Sequence, residues 1–206
     1  MLNRYARAFF TKVFTPVARL FLKLGISPDV VTVVGTLGVC FGALAFYPRG
    51  GTNFLWGTLV ITAFVFSDTI DGVMARMSGR SGHWGAYLDS TLDRVGDSAI
   101  FGGLVLWFAG GGDDFLDAGL ALACLILGSV VSYAKARAEG LGFTADVGIA
   151  ERADRLVAVL VTTGLVGLGL PEVVLTVVLA LLAVASLVTV VQRMLTVRRQ
   201  ALAQAS

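Results

Sequence analysis

Six long apolar segments separated by short polar joints constrain the fold of this chain more than any other feature. They lie at about 28–48, 53–76, 85–110, 115–138, 153–170 and 172–194. Each is close to the roughly 20 residues that an α-helix needs to cross a bilayer. With 56% hydrophobic and 15% charged residues, the chain lacks the polar surface of a soluble domain. The sequence therefore predicts an all-α integral membrane protein with six transmembrane helices.

Residues 1–23 differ from these segments because basic and apolar residues are mixed at helical spacing. The segment has no acidic residue and five basic ones: Arg4, Arg7, Lys12, Arg19 and Lys23. This pattern is typical of an amphipathic helix that lies in the membrane interface, here bent near Pro16. The interspersed charges disfavour the alternative, an ordinary first spanning helix. We predict an N-terminal amphipathic juxtamembrane helix at 1–23 and a six-helix membrane domain at 24–206.

The basic residues occupy alternate joints. They concentrate at the N-terminal segment, at 76–94, at 135–155 and at the C-terminal end, whereas the other joints hold only Arg49. By the positive-inside rule, a multi-pass cell-membrane protein of this kind has both termini and the 76–94 region on the cytoplasmic side. An odd number of spans would break the alternation. We expect the C-terminal tail at 198–204 to form the frayed end of the last helix.

Four aspartates occur near the cytoplasmic ends of the second and third segments: Asp68, Asp71, Asp89 and Asp93. Residues three or four apart share one face of a helix, so two antiparallel neighbouring helices would bring the four carboxylates together. Unpaired carboxylates in an apolar setting are costly, and oxygen ligands suit Mg²⁺ or Mn²⁺. The spacing predicts a site for two divalent ions, which clamp both oxygens of a displacement at phosphorus.

Two neighbouring residues indicate a phosphate ligand beside these ions. Gly72 would let a phosphate or nucleotide approach the helix backbone closely, and Arg76 could bind phosphate oxygens with its planar fork. A divalent-cation transporter is the alternative from a different class, but it has no reason to carry Gly72, Ala75, Arg76 and Gly85 together. A purely structural scaffold would not retain four aspartates inside a membrane.

The stretch from Asp68 to Asp93 resembles the signature of the CDP-alcohol phosphotransferase family, D-x2-D-G-x2-A-R-x8-G-x3-D-x3-D, at every fixed position. The resemblance implies that Asp68, Asp71 and Asp89 bind metal. It also implies that Asp93 is both a metal ligand and the general base for an incoming alcohol. Asp97 lies one turn beyond the signature, and we interpret it as an outer residue or a partner of Arg94.

The same resemblance implies a binding site for CDP-diacylglycerol. It assigns Gly72, Arg76 and Ser81 to the CDP moiety, and CMP is the leaving group. The upstream string Pro28-Asp-Val-Val-Thr32 is similar to a family element that helps hold the nucleotide, which adds Asp29, Val30, Val31 and Thr32. These four residues could equally form a helix N-cap, because Asp is favoured there.

A second polar group comes from three other segments on the cytoplasmic side: Lys135, Arg155 and Arg193. Converging cations beside a metal site suit a second, phosphorylated substrate, although anchoring at the membrane surface is the alternative. The strings Ser132-Tyr-Ala-Lys-Ala-Arg-Ala-Glu139 and Glu151-Arg-Ala-Asp-Arg155 resemble those of the family's actinobacterial phosphatidylinositol phosphate synthases. That resemblance implies L-myo-inositol 1-phosphate as the acceptor, bound by Ser132, Lys135, Arg137, Arg155 and Arg193, with Arg152 as a further candidate.

A phosphatidylglycerophosphate synthase is the nearest alternative, because its acceptor, glycerol 3-phosphate, also carries a phosphate. A cationic pocket alone does not separate the two acceptors. The family resemblance also implies a homodimer. We expect membrane lipids as further partners and no nucleic-acid partner.

Overall fold

The structure is a computed structural model that describes residues 2–79 and 82–205, apart from the side chains of residues 2–12, Asp68 and Ala205. Every regular element within these ranges is helical. The helices are α1 (Leu2–Lys23), α2 (Pro28–Phe46), α3 (Asn53–Val65), α4 (Ser67–Ser78), α5 (His83–Phe108), α6 (Phe115–Glu139), α7 (Arg152–Gly167) and α8 (Val173–Ala205), with a short 3₁₀ turn at Tyr47–Arg49.

Helix α2 stands at the centre of the bundle, between α3 and α5. Helix α5 also packs on α6, α6 on α8, and α3 on α7. The apolar core between these helices contains Phe54, Leu104, Phe108 and Leu179, all fully buried or nearly so. Tyr47 is buried at one end of this core, and its hydroxyl lies 2.9 Å from the hydroxyl of Thr58. The polar atom of this large side chain is therefore satisfied inside the bundle.

Helix α1 packs along α4. Ala18 of α1, Val31 of α2, and Val73 and Met74 of α4 form a second, smaller apolar cluster. Pro16 lies inside α1, which continues through it as one helix. The N-terminal helix therefore supports the back of α4, the helix that carries the first half of the aspartate signature.

Within the described residues, four helices are long and apolar enough to cross a membrane: Pro28–Arg49, α3 joined with α4 as Asn53–Ser78, Phe115–Glu139 and Val173–Gln204. The other two predicted spans correspond to α5 and α7. Helix α5 carries Asp89, Asp93, Arg94 and Asp97 in its first half, and α7 has only 16 residues. Their charge and their length keep these two helices outside that group.

The second predicted span, 53–76, is interrupted at Phe66, where α3 ends and α4 begins. The hydroxyl of Ser67 donates to the carbonyl of Phe64 at 2.6 Å. Helix α2 approaches this junction so closely that a Cβ atom on Gly35 would overlap the Ser67 hydroxyl. The boundary between α3 and α4 falls two residues before Asp68, so the first signature aspartate lies in the first turn of α4.

The C-terminal tail at 198–204 belongs to the last helix, as predicted. Helix α8 continues to Ala205. Gln200 holds the loop between α6 and α7: its amide nitrogen donates to the carbonyl of Thr144 at 2.6 Å, and its oxygen accepts from the Thr144 amide at 3.0 Å. A two-way contact with another segment explains why this polar end stays helical.

Candidate active site

A cavity of about 530 Å³ opens between the start of α2, the end of α4 and the start of α5. Six residues of the signature line it: Asp71, Gly72, Ala75, Arg76, Gly85 and Asp89. Its remaining wall comes from Pro28, Asp29 and Thr32 on α2 and from Gly82, His83 and Ala86 around the start of α5. The structure thus brings the two halves of the signature and the upstream element together around one space.

Asp71 is the most enclosed of the described signature aspartates, with 7% of its surface exposed. The hydroxyl of Thr32 donates to its Oδ2 atom at 2.5 Å. The charges of Asp89 and Asp93 also act on this carboxylate. Three like charges brought near one another from α4 and α5 repel unless a cation or a proton offsets them.

Gly72 lines this cavity with its backbone. A Cβ atom placed on it would lie 3.5 Å from Nη1 of Arg76. The guanidinium therefore folds back over the turn that contains Gly72. A phosphate that approached the Gly72 backbone would meet the Arg76 fork at the same place.

The upstream element divides between the cavity and the core. Thr32 and Asp29 line the cavity, and Asp29 accepts a hydrogen bond from the indole nitrogen of Trp84 at 3.0 Å. The side chain of Val31 instead packs in the cluster with Met74, and Val30 is 51% exposed. Successive helical residues point in directions about 100° apart, so one helix face cannot carry all four side chains to the cavity.

The N-cap of α2 is Ser27, not Asp29. The Ser27 hydroxyl accepts from the Val30 amide at 3.3 Å, and Pro28 follows in the first turn. Proline suits this position because its missing N–H would be unpaired there. Asp29 and Thr32 are therefore not needed as caps, and both line the cavity.

Asp93 points to a different part of the bundle, a small space that it shares with Arg152 and Leu156 of α7. Its Oδ1 atom lies 2.8 Å from Nη1 of Arg152, and its Oδ2 atom lies 3.7 Å from Nη2 of Arg94. Asp97 contacts the same two arginines, at 3.1 Å from Arg152 and 3.6 Å from Arg94. The predicted partnership of Asp97 with Arg94 is present, and Arg152 is the nearer partner.

The donor chemistry fits a hard divalent cation. Carboxylate oxygens of Asp71 and Asp89 face one cavity, and such oxygens are the ligands that Mg²⁺ and Mn²⁺ prefer. Among the side chains that the structure describes, no three His, Cys, Asp or Glu groups lie close enough to hold a metal ion. The side chain of Asp68 and all of Ser81 are outside the described residues.

The three predicted acceptor cations all contact one segment of the loop between α6 and α7. Nζ of Lys135 lies 2.5 Å from Asp146 Oδ1. Arg193 donates from Nε to the Val147 carbonyl at 3.0 Å, and Arg155 donates from Nη1 to the Ala150 carbonyl at 3.1 Å. Both arginines are buried, with 6% and 2% exposed, whereas the Lys135 side chain is 41% exposed.

Charge in this loop follows the same contacts. The hydrogen bond from Lys135, together with the positive charges of Lys135 and Arg193, holds the pKa of Asp146 below its ordinary value. Nη1 of Arg193 also donates to the carbonyl of Val131 at 2.5 Å. The buried guanidiniums of Arg155 and Arg193 thus donate hydrogen bonds to backbone carbonyls, which holds the loop over the ends of α6 and α8.

The other two predicted acceptor residues lie on α6. Ser132 is half-buried, and its hydroxyl bonds to the Gly128 carbonyl at 3.2 Å. Arg137 is exposed in the last turn of the helix. The structure thus places Ser132 one turn before Lys135 and Arg137 at the outer edge of the group.

Two contributions were missed by the sequence analysis. Thr189 accepts hydrogen bonds from the amides of Ile149 and Ala150, each at 3.2 Å. Arg152, assigned above as an acceptor candidate, binds the aspartates of α5 instead. The contact between Arg152 and α5 joins residues more than 50 positions apart, so no local pattern in the sequence indicated it.

Comparison with known proteins agrees with this geometry. Residues 25–146 match the CDP-alcohol phosphatidyltransferase family. The phosphatidylinositol phosphate synthase of Streptomyces avermitilis is 57% identical, over 97% of this chain and 84% of that protein. Two crystal structures of the Mycobacterium tuberculosis phosphatidylinositol phosphate synthase, each 42% identical to this chain, are also similar.

The structure with CDP-DAG bound has a TM-score of 0.86, and the match covers 90% of this chain and 94% of the synthase chain. The complex with manganese and citrate has a TM-score of 0.82 and matches 89% and 88%. This chain belongs to the CDP-alcohol phosphatidyltransferase family.

Proposed function

We propose that this protein transfers the phosphatidyl group of CDP-diacylglycerol to L-myo-inositol 1-phosphate, releasing CMP and forming phosphatidylinositol phosphate. The observation that carries the proposal is the cavity whose walls hold six residues of the family signature. The high identity to a phosphatidylinositol phosphate synthase supports the acceptor. The similar structure that binds CDP-DAG supports the donor.

The donor binds at the cavity between α2, α4 and α5. Arg76 and the Gly72 backbone hold the pyrophosphate, and Asp29 and Thr32, which line the same cavity from α2, contact the nucleotide. Ser81 is proposed from the signature alone. For Val30 and Val31 the proposal is limited to their place in the α2 turn, since their side chains lie elsewhere.

From the family signature, two divalent ions, Mg²⁺ or Mn²⁺, would be held by Asp68, Asp71, Asp89 and Asp93. Asp71 and Asp89 line the donor cavity, whereas the Asp93 carboxylate contacts Arg152 and Arg94 in this structure. Such ions supply positive charge that offsets the pyrophosphate and the departing CMP. The hydrogen bond from Thr32 fixes one oxygen of Asp71. The manganese complex of the similar synthase supports a divalent metal at this family's site.

The chemistry assigned to the chain's own residues is a proton transfer and an orientation. Asp93 accepts the proton of the acceptor hydroxyl. The resulting oxygen forms a bond to the phosphorus that carries the diacylglycerol, and the bond from that phosphorus to CMP breaks, with the electron pair leaving on CMP. Arg76 orients the phosphates during this displacement.

The acceptor phosphate binds near the cations that meet at the loop between α6 and α7. Arg155 and Arg193 are buried and held by carbonyls, so they supply positive charge with little loss of side-chain entropy. Lys135 is more exposed and closer to solvent. Ser132 and Arg137 complete the group on α6.

We also propose that the bundle spans a cell membrane six times, with both termini and the active site on the cytoplasmic side. The alternation of basic joints supports this count, with α5 and α7 as the two further spans. The apolar outer faces of the bundle agree with contact to lipid. Helix α1 lies in the interface, and the family resemblance supports a homodimer.

The decisive experiment supplies the purified protein with CDP-diacylglycerol, Mg²⁺ or Mn²⁺, and one acceptor at a time. The acceptors are inositol 1-phosphate, glycerol 3-phosphate, inositol and serine, and the measurement is CMP release. We expect CMP only with inositol 1-phosphate. Release with glycerol 3-phosphate alone would make the protein a phosphatidylglycerophosphate synthase, and Mg²⁺ or Mn²⁺ transport without CMP release would favour the transporter.

A further inference from the structure

The guanidinium of Arg152 crosses from α7 to α5 and binds two carboxylates there. Its Nη1 atom lies 2.8 Å from Asp93 Oδ1. Its Nε atom donates to both oxygens of Asp97, at 3.1 and 3.3 Å, and Nη2 lies 3.1 Å from Asp97 Oδ1. Arg152 therefore grips Asp97 with two nitrogens and reaches Asp93 with the third.

Arg155, one turn later on the same helix, points elsewhere. It donates to the Ala150 carbonyl and lies against Gly128 of α6. The two arginines at the start of α7 thus serve different partners. Arg152 contacts Asp93, the proposed general base, whereas Arg155 contacts the loop between α6 and α7.

Both ends of the Arg152 side chain are fixed. Its backbone begins α7, where Glu151 and Asp154 form a capping box, with the Glu151 amide donating to Asp154 at 3.2 Å. The side chains of Arg152, Asp93 and Asp97 are 29%, 18% and 14% exposed. Ion pairs that are shielded to this degree, with a bidentate fork, hold their geometry better than surface pairs.

We propose that Arg152 is a positioning residue for Asp93, and that Asp97 acts by holding Arg152. This inference rests on the proposed role of Asp93 as general base. A base must lie about 2.6–3.2 Å from the proton it removes. Rotation of the Asp93 carboxylate would lose that distance, and the contact from Arg152 to Oδ1 opposes such a rotation.

The test compares Arg152→Ala and Arg152→Lys with the unchanged protein and with Arg198→Ala. Arg198 is an exposed arginine of α8 outside the site, so its removal controls for the loss of one positive charge. We expect kcat of Arg152→Ala to fall about 10- to 100-fold, as for other residues that orient an active-site ligand. The KM values for inositol 1-phosphate and CDP-diacylglycerol should stay within about twofold.

Two further readouts separate positioning from general structural support. Millimolar guanidinium should restore part of kcat in Arg152→Ala but none in Asp93→Asn, because only the first variant lacks that cation. Arg152→Lys, which keeps the charge, should retain more activity than Arg152→Ala. Asp97→Asn should lower kcat less than Arg152→Ala and add nothing to it in the double variant, because Asp97 acts through Arg152.

The outcomes distinguish this inference from the function on which it rests. If Asp93→Asn is inactive while Arg152→Ala has normal kcat, Arg152 has no positioning role. A large rise of the inositol 1-phosphate KM with unchanged kcat would instead make Arg152 an acceptor ligand. Normal activity of Asp93→Asn would remove the base itself. If Arg152→Ala does not fold, Arg152→Lys and Asp97→Asn carry the same comparison.

Discussion

Thr32 and Asp71 join two helices across the proposed donor cavity. The Thr32 hydroxyl lies 2.5 Å from Asp71 Oδ2 and 3.1 Å from the carbonyl of Pro28, in the first turn of its own helix. Both residues are 7% exposed. A buried carboxylate with a fixed donor keeps one orientation, so the start of α2 takes part in shaping the metal site proposed on α4 and α5.

We predict that Thr32→Val lowers kcat/KM for CDP-diacylglycerol about tenfold. The substitution keeps the branched shape but removes the donor to Asp71. Hydrogen bonds to charged groups contribute about 1.5–3 kcal/mol. CMP release at varied CDP-diacylglycerol, with saturating Mg²⁺ and inositol 1-phosphate, gives the ratio.

Thr91→Val is the matched control, because the Thr91 hydroxyl bonds to the Tyr87 carbonyl of its own helix at 2.8 Å and its side chain is exposed. That variant should behave like the unchanged protein. Equal kinetics for both variants would show that the contact between Thr32 and Asp71 has no part in donor use.

The sequence predicted the helical class, and it predicted that Asp29 and Thr32 lie together with Gly72 and Arg76, because the signature spacing and the apolar segments are local patterns. It did not predict that the side chains of Val30 and Val31 lie outside the cavity. It did not predict the partner of Asp93. Arg152 is 59 residues away from Asp93 in the chain, and only the packing of α7 near α5 brings their side chains together. The charge pattern of 135–155 grouped Arg152 with the other basic residues on the cytoplasmic side and gave no sign of a contact with Asp93.

The break at Phe66 also could not be predicted, because the sequence there is continuously apolar and contains neither proline nor glycine. The close approach of Gly35 on α2 to Ser67 at this junction joins residues that are distant in the chain. The contact between Gln200 and Thr144 is likewise not a local pattern, because the two residues lie 56 positions apart in the chain.

We predict that Asp146→Asn lowers the KM for inositol 1-phosphate about two- to fivefold. At neutral pH the Asp146 carboxylate forms an ion pair with the Lys135 ammonium, with 2.5 Å between Oδ1 and Nζ. An acceptor phosphate must therefore compete with Asp146 for the same ammonium. Exposed pairs are weak, which limits the size of the gain. Initial rates at varied inositol 1-phosphate measure it.

The pH dependence of this pair has a definite sign. Because the contact with Lys135 lowers the Asp146 pKa, the pair stabilises the folded loop fully above the unfolded Asp value of about 4. That contribution is lost as the pH falls through the lower, folded-state pKa. The change that Asp146→Asn causes in the KM for inositol 1-phosphate should therefore be constant between about pH 6 and 8.

Glu172→Gln removes the same charge at the joint between α7 and α8 and serves as the control, with no expected change. A higher KM for inositol 1-phosphate in Asp146→Asn would contradict the competition. It would show that Asp146 helps to bind the acceptor or to order its loop.

We predict that Gly35→Ala destabilises the bundle by about 1–3 kcal/mol, as overpacking does in well-filled interiors. The new Cβ would overlap the Ser67 hydroxyl and lie 3.1 Å from its Cβ atom. The midpoint of thermal unfolding in detergent should fall. Adding Ser67→Ala should recover part of the loss, since the hydroxyl oxygen is the nearest atom.

Gly102→Ala gives the comparison on α5, because a Cβ there meets nothing within 4 Å. Alanine favours a helix over glycine by roughly 1 kcal/mol, so this variant should be at least as stable as the unchanged protein. An equal fall of the unfolding midpoint in Gly35→Ala and Gly102→Ala would rule out the close approach of Gly35 to Ser67 as the cause.

We predict that Gln200→Ala loosens the loop that carries the acceptor contacts. Gln200 makes both a donor and an acceptor hydrogen bond with the Thr144 backbone, and the contacts of Lys135, Arg193 and Arg155 follow along the same loop. Loss of one fixed end raises the population of locally open states.

Amide exchange across 141–150 should become faster, and the KM for inositol 1-phosphate should rise while that for CDP-diacylglycerol stays constant. Gln204→Ala, an exposed position near the end of the same helix, should change neither quantity. Unchanged exchange in Gln200→Ala would mean that the buried arginines and Thr189 hold the loop without α8's last turns.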